Sequence, residues 1–277
     1  MHDLSGLMGI PPEPADGPAT VIAFVGAGGK TSAMFALAEA ARLYRTIITT
    51  TTMMFDPRFE PGRRFGRVST MRVSTMRVST AYASTTIEAP GPGDPPLVLA
   101  SEFLPETRKI RGIHPSRVPE LGAFCDLVLV EADGARGRSV KAPAAHEPMI
   151  PPCADIVAGL VGLDCLGRPM DETNVHRPEL FGAVTSCAPG EAIAPRHILA
   201  LVRAQEGLYK NVPPGAERIL LLNKTDAADP VLAAELCALM AGEIKTIVCS
   251  IRKNLFFAGA ECIDASSMRS RFPEVSR

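Results

Sequence analysis

Three short runs of this chain place reactive residue types at spacings that chemistry can use. The first is Gly26-Ala27-Gly28-Gly29-Lys30-Thr31, preceded by the apolar Val21–Val25 and followed by a helical pattern from Ser32 to Leu43. Strand, glycine-rich turn and helix start, in that order, wrap backbone N–H groups around a phosphate. Gly26 through Ser32 form the candidate cradle, with Lys30 neutralising the β- and γ-phosphates and the Thr31 hydroxyl ligating Mg²⁺. The common pattern asks for a glycine five residues before Gly29. That position is Phe24 here, so the loop is a shortened or shifted variant.

The second run is Glu131-Ala132-Asp133-Gly134, which follows the apolar Leu127–Val130. A carboxylate at the tip of a buried strand, beside a phosphate loop, holds Mg²⁺ directly or through its waters. Glu131 takes the strand-tip position, and Asp133 could hold the water shell or sense the nucleotide. The metal set is therefore Thr31 with Glu131 or Asp133. The third run is Asn223-Lys224-Thr225-Asp226, after Leu220-Leu221-Leu222. It has the N-K-x-D form with which GTPases read guanine: the Asp carboxylate accepts from the base, the Asn orients the loop and the Lys stem packs on the ring. This run tilts the nucleotide toward GTP without excluding ATP.

Between these runs lies a polar segment: Arg136, Arg138, Lys141-Ala142-Pro143, His146-Glu147-Pro148, then Asn174 and His176-Arg177-Pro178-Glu179. The cations could clamp phosphate or an anionic substrate. His146 and His176 could donate protons or ligate metal, although a His beside a Glu is also a common structural pairing. With Lys30 and Asp133 they make up the candidate catalytic set. Thr49–Thr52 could turn hydroxyls toward Mg²⁺ or the γ-phosphate, and are equally explained by strand propensity. His114 and His197 have no supporting context.

The elements that must position these residues alternate along the chain. Strands are expected at Val21–Val25, Thr46–Thr50, Leu97–Ala100, Asp126–Glu131, Asp155–Leu160, Arg218–Leu222 and Thr246–Ile251. Helical patterns fit Ser32–Leu43, Pro178–Val184, Pro195–Gln205 and Pro230–Met240. Uninterrupted apolar runs such as Leu127–Val130 belong to parallel strands covered on both faces. The expected fold is therefore α/β, a doubly wound and mostly parallel sheet, with ligands bound beyond the carboxyl ends of its strands. We expect a single domain over 19–255, a loose N-terminal tail over 1–18 and a C-terminal tail over 256–277. A variable insertion is expected near 56–96. It contains the repeat Arg-Val-Ser-Thr-Met at 67–80, whose five-residue period fits neither helix nor strand and reads as a duplication in a tolerant surface connection.

Composition limits the function classes. The chain has 277 residues, 46% of them hydrophobic, and a net charge of −1, which gives no reason to expect a nucleic-acid or anionic-membrane partner. No apolar stretch approaches the roughly 20 residues that span a bilayer. The first 18 residues lack the basic and apolar regions of a secretion signal, so a cytoplasmic protein is expected. The seven cysteines are scattered without a C-x-x-C pair, which argues against a disulfide framework or a zinc cage.

Taken together, Val25–Thr31, Thr49–Thr52, Val130–Gly134, Lys141–Pro148, Val161-Gly162-Leu163-Asp164 and Asn174–Glu179 resemble the YqeC family over roughly Ala19–Asp226. The resemblance implies a P-loop NTPase type of fold. It also implies a role as an accessory protein in maturing a selenium-dependent molybdenum hydroxylase, with that enzyme or its cofactor-assembly proteins as partners. The residues themselves point to a nucleotide, GTP or ATP, with Mg²⁺, and to NTP hydrolysis. Phosphoryl transfer to a small cofactor precursor and a non-hydrolysing, nucleotide-gated binding module are the alternatives.

Overall fold

The computed structural model describes residues 2–59, 68–70 and 89–272. Apart from its first strand-forming triplet, the 67–80 repeat lies outside the described residues. In chain order the elements are α1 (Leu4–Met8), β1 (Thr20–Gly26), α2 (Lys30–Ala40), β2 (Thr46–Thr50), β3 (Met53–Phe55), β4 (Val68–Thr70), β5 (Leu97–Ala100), β6 (Glu102–Leu104), β7 (Lys109–Arg111) and β8 (Leu127–Glu131). There follow β9 (Val140–Lys141), β10 (Ile156–Gly162), β11 (Val175–His176), α3 (Pro178–Thr185), α4 (Pro195–Arg203), β12 (Glu217–Asn223), α5 (Pro230–Met240), β13 (Lys245–Ser250), β14 (Leu255–Ala258) and α6 (Ala265–Arg271). The strands and helices expected from the sequence are all present, with ends displaced by at most three residues.

Nine strands form one sheet in the order β14-β13-β12-β10-β1-β8-β2-β5-β4. Every pairing in it is parallel except β13 with β14. The period-2 alternation of its strands splits the core in two. Val21, Ala23 and Val25 face a cluster that takes in Ile198, Leu201 and Leu236 from α4 and α5. Ile22 and Phe24 face the other, with Met34 and Leu37 from α2 and Leu4 and Met8 from α1. Helices on both faces are what uninterrupted apolar strands demand, and the fold is mixed α/β with a large, mostly parallel sheet.

β2, β4, β5 and β8 lie to one side of β1, and β10, β12, β13 and β14 to the other. The chain therefore changes direction at β1, where open α/β sheets leave a crevice beyond the carboxyl ends. Two small sheets stand beside it: a parallel pair, β9 with β11, and an antiparallel sheet in the order β3-β7-β6.

Parts of both expected tails, residues 4–10 and 256–272, are instead built in. Leu4, Met8 and Ile10 are buried, and α1 packs against α2 and β14. Asp3 caps α1 by accepting from Gly6 N–H at 2.8 Å, and His2 Nε2 lies 3.0 Å from Glu261 Oε1. At the other end β14 adds the antiparallel edge strand, while Cys262, Met268 and Phe272 are buried. Polar spacing near each terminus hides a few apolar residues that complete the core. Among the described residues all seven cysteines are free, and burial pushes the Cys125 and Cys237 thiols up to about 12.

Candidate functional site

The site begins at the end of β1. Gly26, Gly28 and Gly29 all have positive φ, and Gly28 shows why no side chain fits: an added Cβ would stand 2.3 Å from Gly162 N on β10. The loop is stitched to its neighbours by backbone bonds. Ala27 N–H donates to Leu160 O at 3.0 Å and Gly28 N–H to Arg138 O at 3.0 Å. Asn223 Nδ2 donates to Gly28 O at 2.8 Å. The start of α2 then opens into a cleft of about 840 Å³ lined by Gly28, Gly29, Lys30 and Thr31.

Behind the loop lies a chain of buried charges. Lys30 Nζ donates to Gly26 O at 2.6 Å and lies 3.0 Å from Asp133 Oδ1. Asp133 Oδ2 accepts from Gly26 N–H at 3.0 Å and lies 3.0 Å from Lys141 Nζ. Lys141 also donates to Gly134 O at 2.7 Å and to Glu147 Oε2 at 2.6 Å, and Glu147 receives Arg177 in a two-oxygen contact. Burial opposes the charge on Lys30, but the Asp133 and Glu131 carboxylates outweigh it and raise its pKa. Burial likewise works against the Glu147 carboxylate, yet Arg177 and Lys141 hold its pKa down at about 2.

The β9–β11 pair assembles this chain from distant segments by setting His176 opposite Lys141. His176 lines the cleft with Arg177. Burial first, then Arg177 and Lys141, depress its pKa to about 4, so it is neutral at physiological pH and only a weak base there. His146 is exposed at the same cleft.

The hard-cation residues come together. Thr31 Oγ1 donates to Glu131 Oε2 at 2.7 Å, and both line the cleft. A hydroxyl and a carboxylate at a strand tip are the oxygen donors that Mg²⁺ takes. Asp133, expected as a catalytic or metal residue, does not reach the cleft lining. It is 1% exposed, and its contacts with Lys30, Lys141 and Gly26 make it the anchor of the loop. Lys141, expected to clamp an anion, is equally buried and serves the same chain.

The Asn223–Asp226 run, expected to read a base, is divided. Lys224 lines the cleft, held by Ser139 Oγ at 2.7 Å and Asp164 Oδ2 at 3.0 Å. Asn223 spends its amide on Gly28, and its oxygen accepts from Ile251 N–H at 3.1 Å. Asp226 does not line the cleft, and its two oxygens accept from Ser250 and Arg252 at 2.7 Å each. Burial works against its charge, but those two bonds hold its pKa below the ordinary value. Of the threonine run, Thr51 and Thr52 line the cleft. Thr49 and Thr50 donate instead to Leu99 O and Glu131 O, tying neighbouring strands together.

Arg136 and Arg138 also line the cleft, and Lys109, Arg111 and His114 enter from β7 and the residues after it. Arg136, Arg177 and Lys224 all have left-handed backbones, with φ of 48°, 63° and 64°. That conformation is costly for such side chains and concentrates at functional sites. The cleft lining holds more cationic side chains than carboxylates, its acids being Glu131 and Glu147. Three-residue β7 has no separate signal in the sequence, and its residues join the site through a sheet pairing. Cys187, Glu191 and His197 also cluster, with ligand atoms within 4.8 Å of one another. Their groups are engaged locally: Glu191 accepts from Ala188 N–H and Arg196, and His197 Nδ1 from Ala194 N–H.

Comparison with known proteins places this geometry in a family. A family model described as YqeC protein matches residues 22–179, which takes in Gly26–Thr31, Glu131–Gly134 and the buried charge chain but stops short of Asn223. The chain is 35% identical over 218 residues to a protein of Escherichia coli (strain K12) described as "Uncharacterized protein YqeC", covering 77% of this chain and 79% of the relative. No solved structure matches the chain.

Proposed function

We infer that this chain, which belongs to the YqeC family, is a Mg²⁺-dependent nucleotide-binding protein of the P-loop NTPase type. Its ligand is GTP or ATP, and it assists maturation of a selenium-dependent molybdenum hydroxylase. The observation that carries the nucleotide reading is the start of α2 at Gly28–Thr31, open to a cationic cleft at the direction change of the sheet, with the Thr31 hydroxyl on Glu131. Thr31 and Glu131 would hold Mg²⁺, which when bound neutralises phosphate oxygens. Lys30 lines the cleft and would exchange Asp133 for a phosphate, since both are anions. Neutral His176 and exposed His146 face the side where a terminal phosphate would lie. The service to a molybdenum hydroxylase rests on the family resemblance, and the site residues speak for the nucleotide.

Equilibrium binding of GTP and ATP, with and without Mg²⁺, tests the reading. Lys30→Ala should weaken nucleotide binding at least tenfold, and Glu131→Gln should weaken the Mg²⁺ dependence. Unchanged affinity in Lys30→Ala would sink it. GTP bound tenfold or more above ATP supports Asp226 reading the base after exchange of Arg252. Equal affinities remove Asp226 from the site and leave the phosphate loop standing.

The extension of the cleft to Arg136, Arg138 and His176 favours a second reading, phosphoryl transfer to a small acceptor. Labelled γ-phosphate appearing in a small molecule supports transfer, and in inorganic phosphate alone supports hydrolysis. A purely nucleotide-gated module would give neither.

A further inference from the structure

The cleft has a wall that the nucleotide reading does not use. β3 and β7 pair antiparallel with Met53 opposite Arg111 and Phe55 opposite Lys109. The alternating residues Met54 and Ile110 are 1% and 0% exposed and point into the core. Strand alternation therefore turns Met53, Phe55, Lys109 and Arg111 to the other face, and all four line the cleft. The outward face of such a ribbon is ordinarily polar. Here Met53 and Phe55 remain 48% and 54% exposed, and Lys109 Nζ stands 5.6 Å from the centre of the Phe55 ring. Large apolar side chains held in a concave, cation-rich cleft mark a binding surface.

The position of this ribbon is fixed. Gly112 N–H donates to Thr52 O at 2.8 Å and Ile113 N–H to Thr50 O at 2.9 Å, at the end of β2. Gly112 is required there, because an added Cβ would meet Thr50 O at 1.8 Å. In the strand order β12-β10-β1-β8-β2, Lys224 follows β12 at one end and the ribbon follows β2 at the other. Four strand spacings of about 4.8 Å put roughly 19 Å between those ends. The phosphate loop, on β1, lies between them.

We propose that the Met53–Phe55/Lys109–Arg111 ribbon is a subsite for a second small ligand, a flat aromatic or heteroaromatic anion. An exposed ring face accepts stacking by any planar ring, and a cation beside it recognises a phosphate, carboxylate or sulfonate on the same molecule. Its binding stands on the ribbon alone. That its neighbour is a nucleotide rests on the reading above.

Fluorescence titration of the full chain with 1-anilinonaphthalene-8-sulfonate, a flat aromatic anion, tests the assignment. Neutral N-phenyl-1-naphthylamine serves as the comparison. The expected result is one saturable site per chain, at least tenfold tighter for the sulfonate, with affinity reduced at least tenfold by Phe55→Ser and several-fold by Lys109→Ser. Both side chains are on the surface of the ribbon, and unchanged thermal melting of the variants would show that the fold is intact. Sulfonate affinity unchanged in Phe55→Ser, or equal affinity for the neutral probe, overturns the proposal. So does displacement of the sulfonate by saturating Mg²⁺-nucleotide, because the ribbon would then hold the nucleotide's own base. Lys30→Ala should leave the sulfonate bound, and an unsubstituted chain that binds the sulfonate but neither GTP nor ATP would fail the nucleotide reading without failing this one.

Discussion

At the scale of single residues, the site is governed by charges that cannot reach water. Asp133 faces Lys30 and Lys141, each at 3.0 Å, and all three side chains are at most 4% exposed. Removing one partner from such a set strands the others, at a cost of about 3–5 kcal/mol. Asp133→Ala should lose stability of that order in urea denaturation. Lys224→Ala, whose partner Asp164 is part-exposed, should cost less than about 1 kcal/mol. Equal costs would mean that burial does not set the energetics of this chain. Glu147 adds a pH dependence. Its folded pKa is about 2 against an ordinary 4.5, so between those values the unfolded chain binds a proton that the folded chain does not. Stability is complete above about 4.5 and falls as acid is added toward pH 2, by about 3 kcal/mol in total. Glu147→Gln should flatten the slope of unfolding free energy in that window. His176, neutral in the fold down to about 4, acts in the same direction at higher pH, between its ordinary 6.5 and that value.

At the scale of elements, the 26–31 loop depends on glycine for its path. Gly28 has a φ of 95°, and its missing Cβ leaves room for Gly162 of the adjacent strand. Gly28→Ala meets both a backbone penalty of about 1–3 kcal/mol and a collision that only a shift of β10 relieves. The expected outcome is a lower melting temperature together with nucleotide affinity reduced at least as far as in Lys30→Ala. A loop that kept full affinity would show that its present path is not the binding path. The Asn223 amide on Gly28 links the same loop to β12. Asn223 of the N-K-x-D run thus supports the glycine loop mechanically. That role was hidden in the sequence because Asn223 and Gly28 are joined only through the strand order. The element boundaries were legible, since apolar runs and proline at helix starts are local signals. The β3–β7 ribbon was not, because three-residue strands give too little alternation to register.

At the scale of the whole molecule, apolar residues near both ends of the described chain, Leu4 to Ile10 and Cys262 to Phe272, are part of the core. Leu4, Met8 and Ile10 are at most 6% exposed, and each such side chain is worth about 1.5–3 kcal/mol when buried, less the entropy of ordering the segment. Deleting residues 2–10 should therefore lower the denaturation midpoint by much more than a surface truncation would. An unchanged midpoint would restore the expectation of a loose tail. Among the described residues no helix is long and apolar enough to cross a membrane, in keeping with the lack of any long apolar run. The parallel α/β sheet, the placement of Gly26–Thr31 and Glu131 at strand ends, and the family are legible in the residues alone, because buried parallel strands and glycine turns write their requirements locally. The folded arrangement was needed to see that Asp133 and Lys141 are buried anchors, that Asp226 is turned to Ser250 and Arg252, and that Phe55 and Lys109 share the cleft. Those outcomes depend on which strands become neighbours. A residue's type fixes what it can bond, but the sheet order fixes what is within reach.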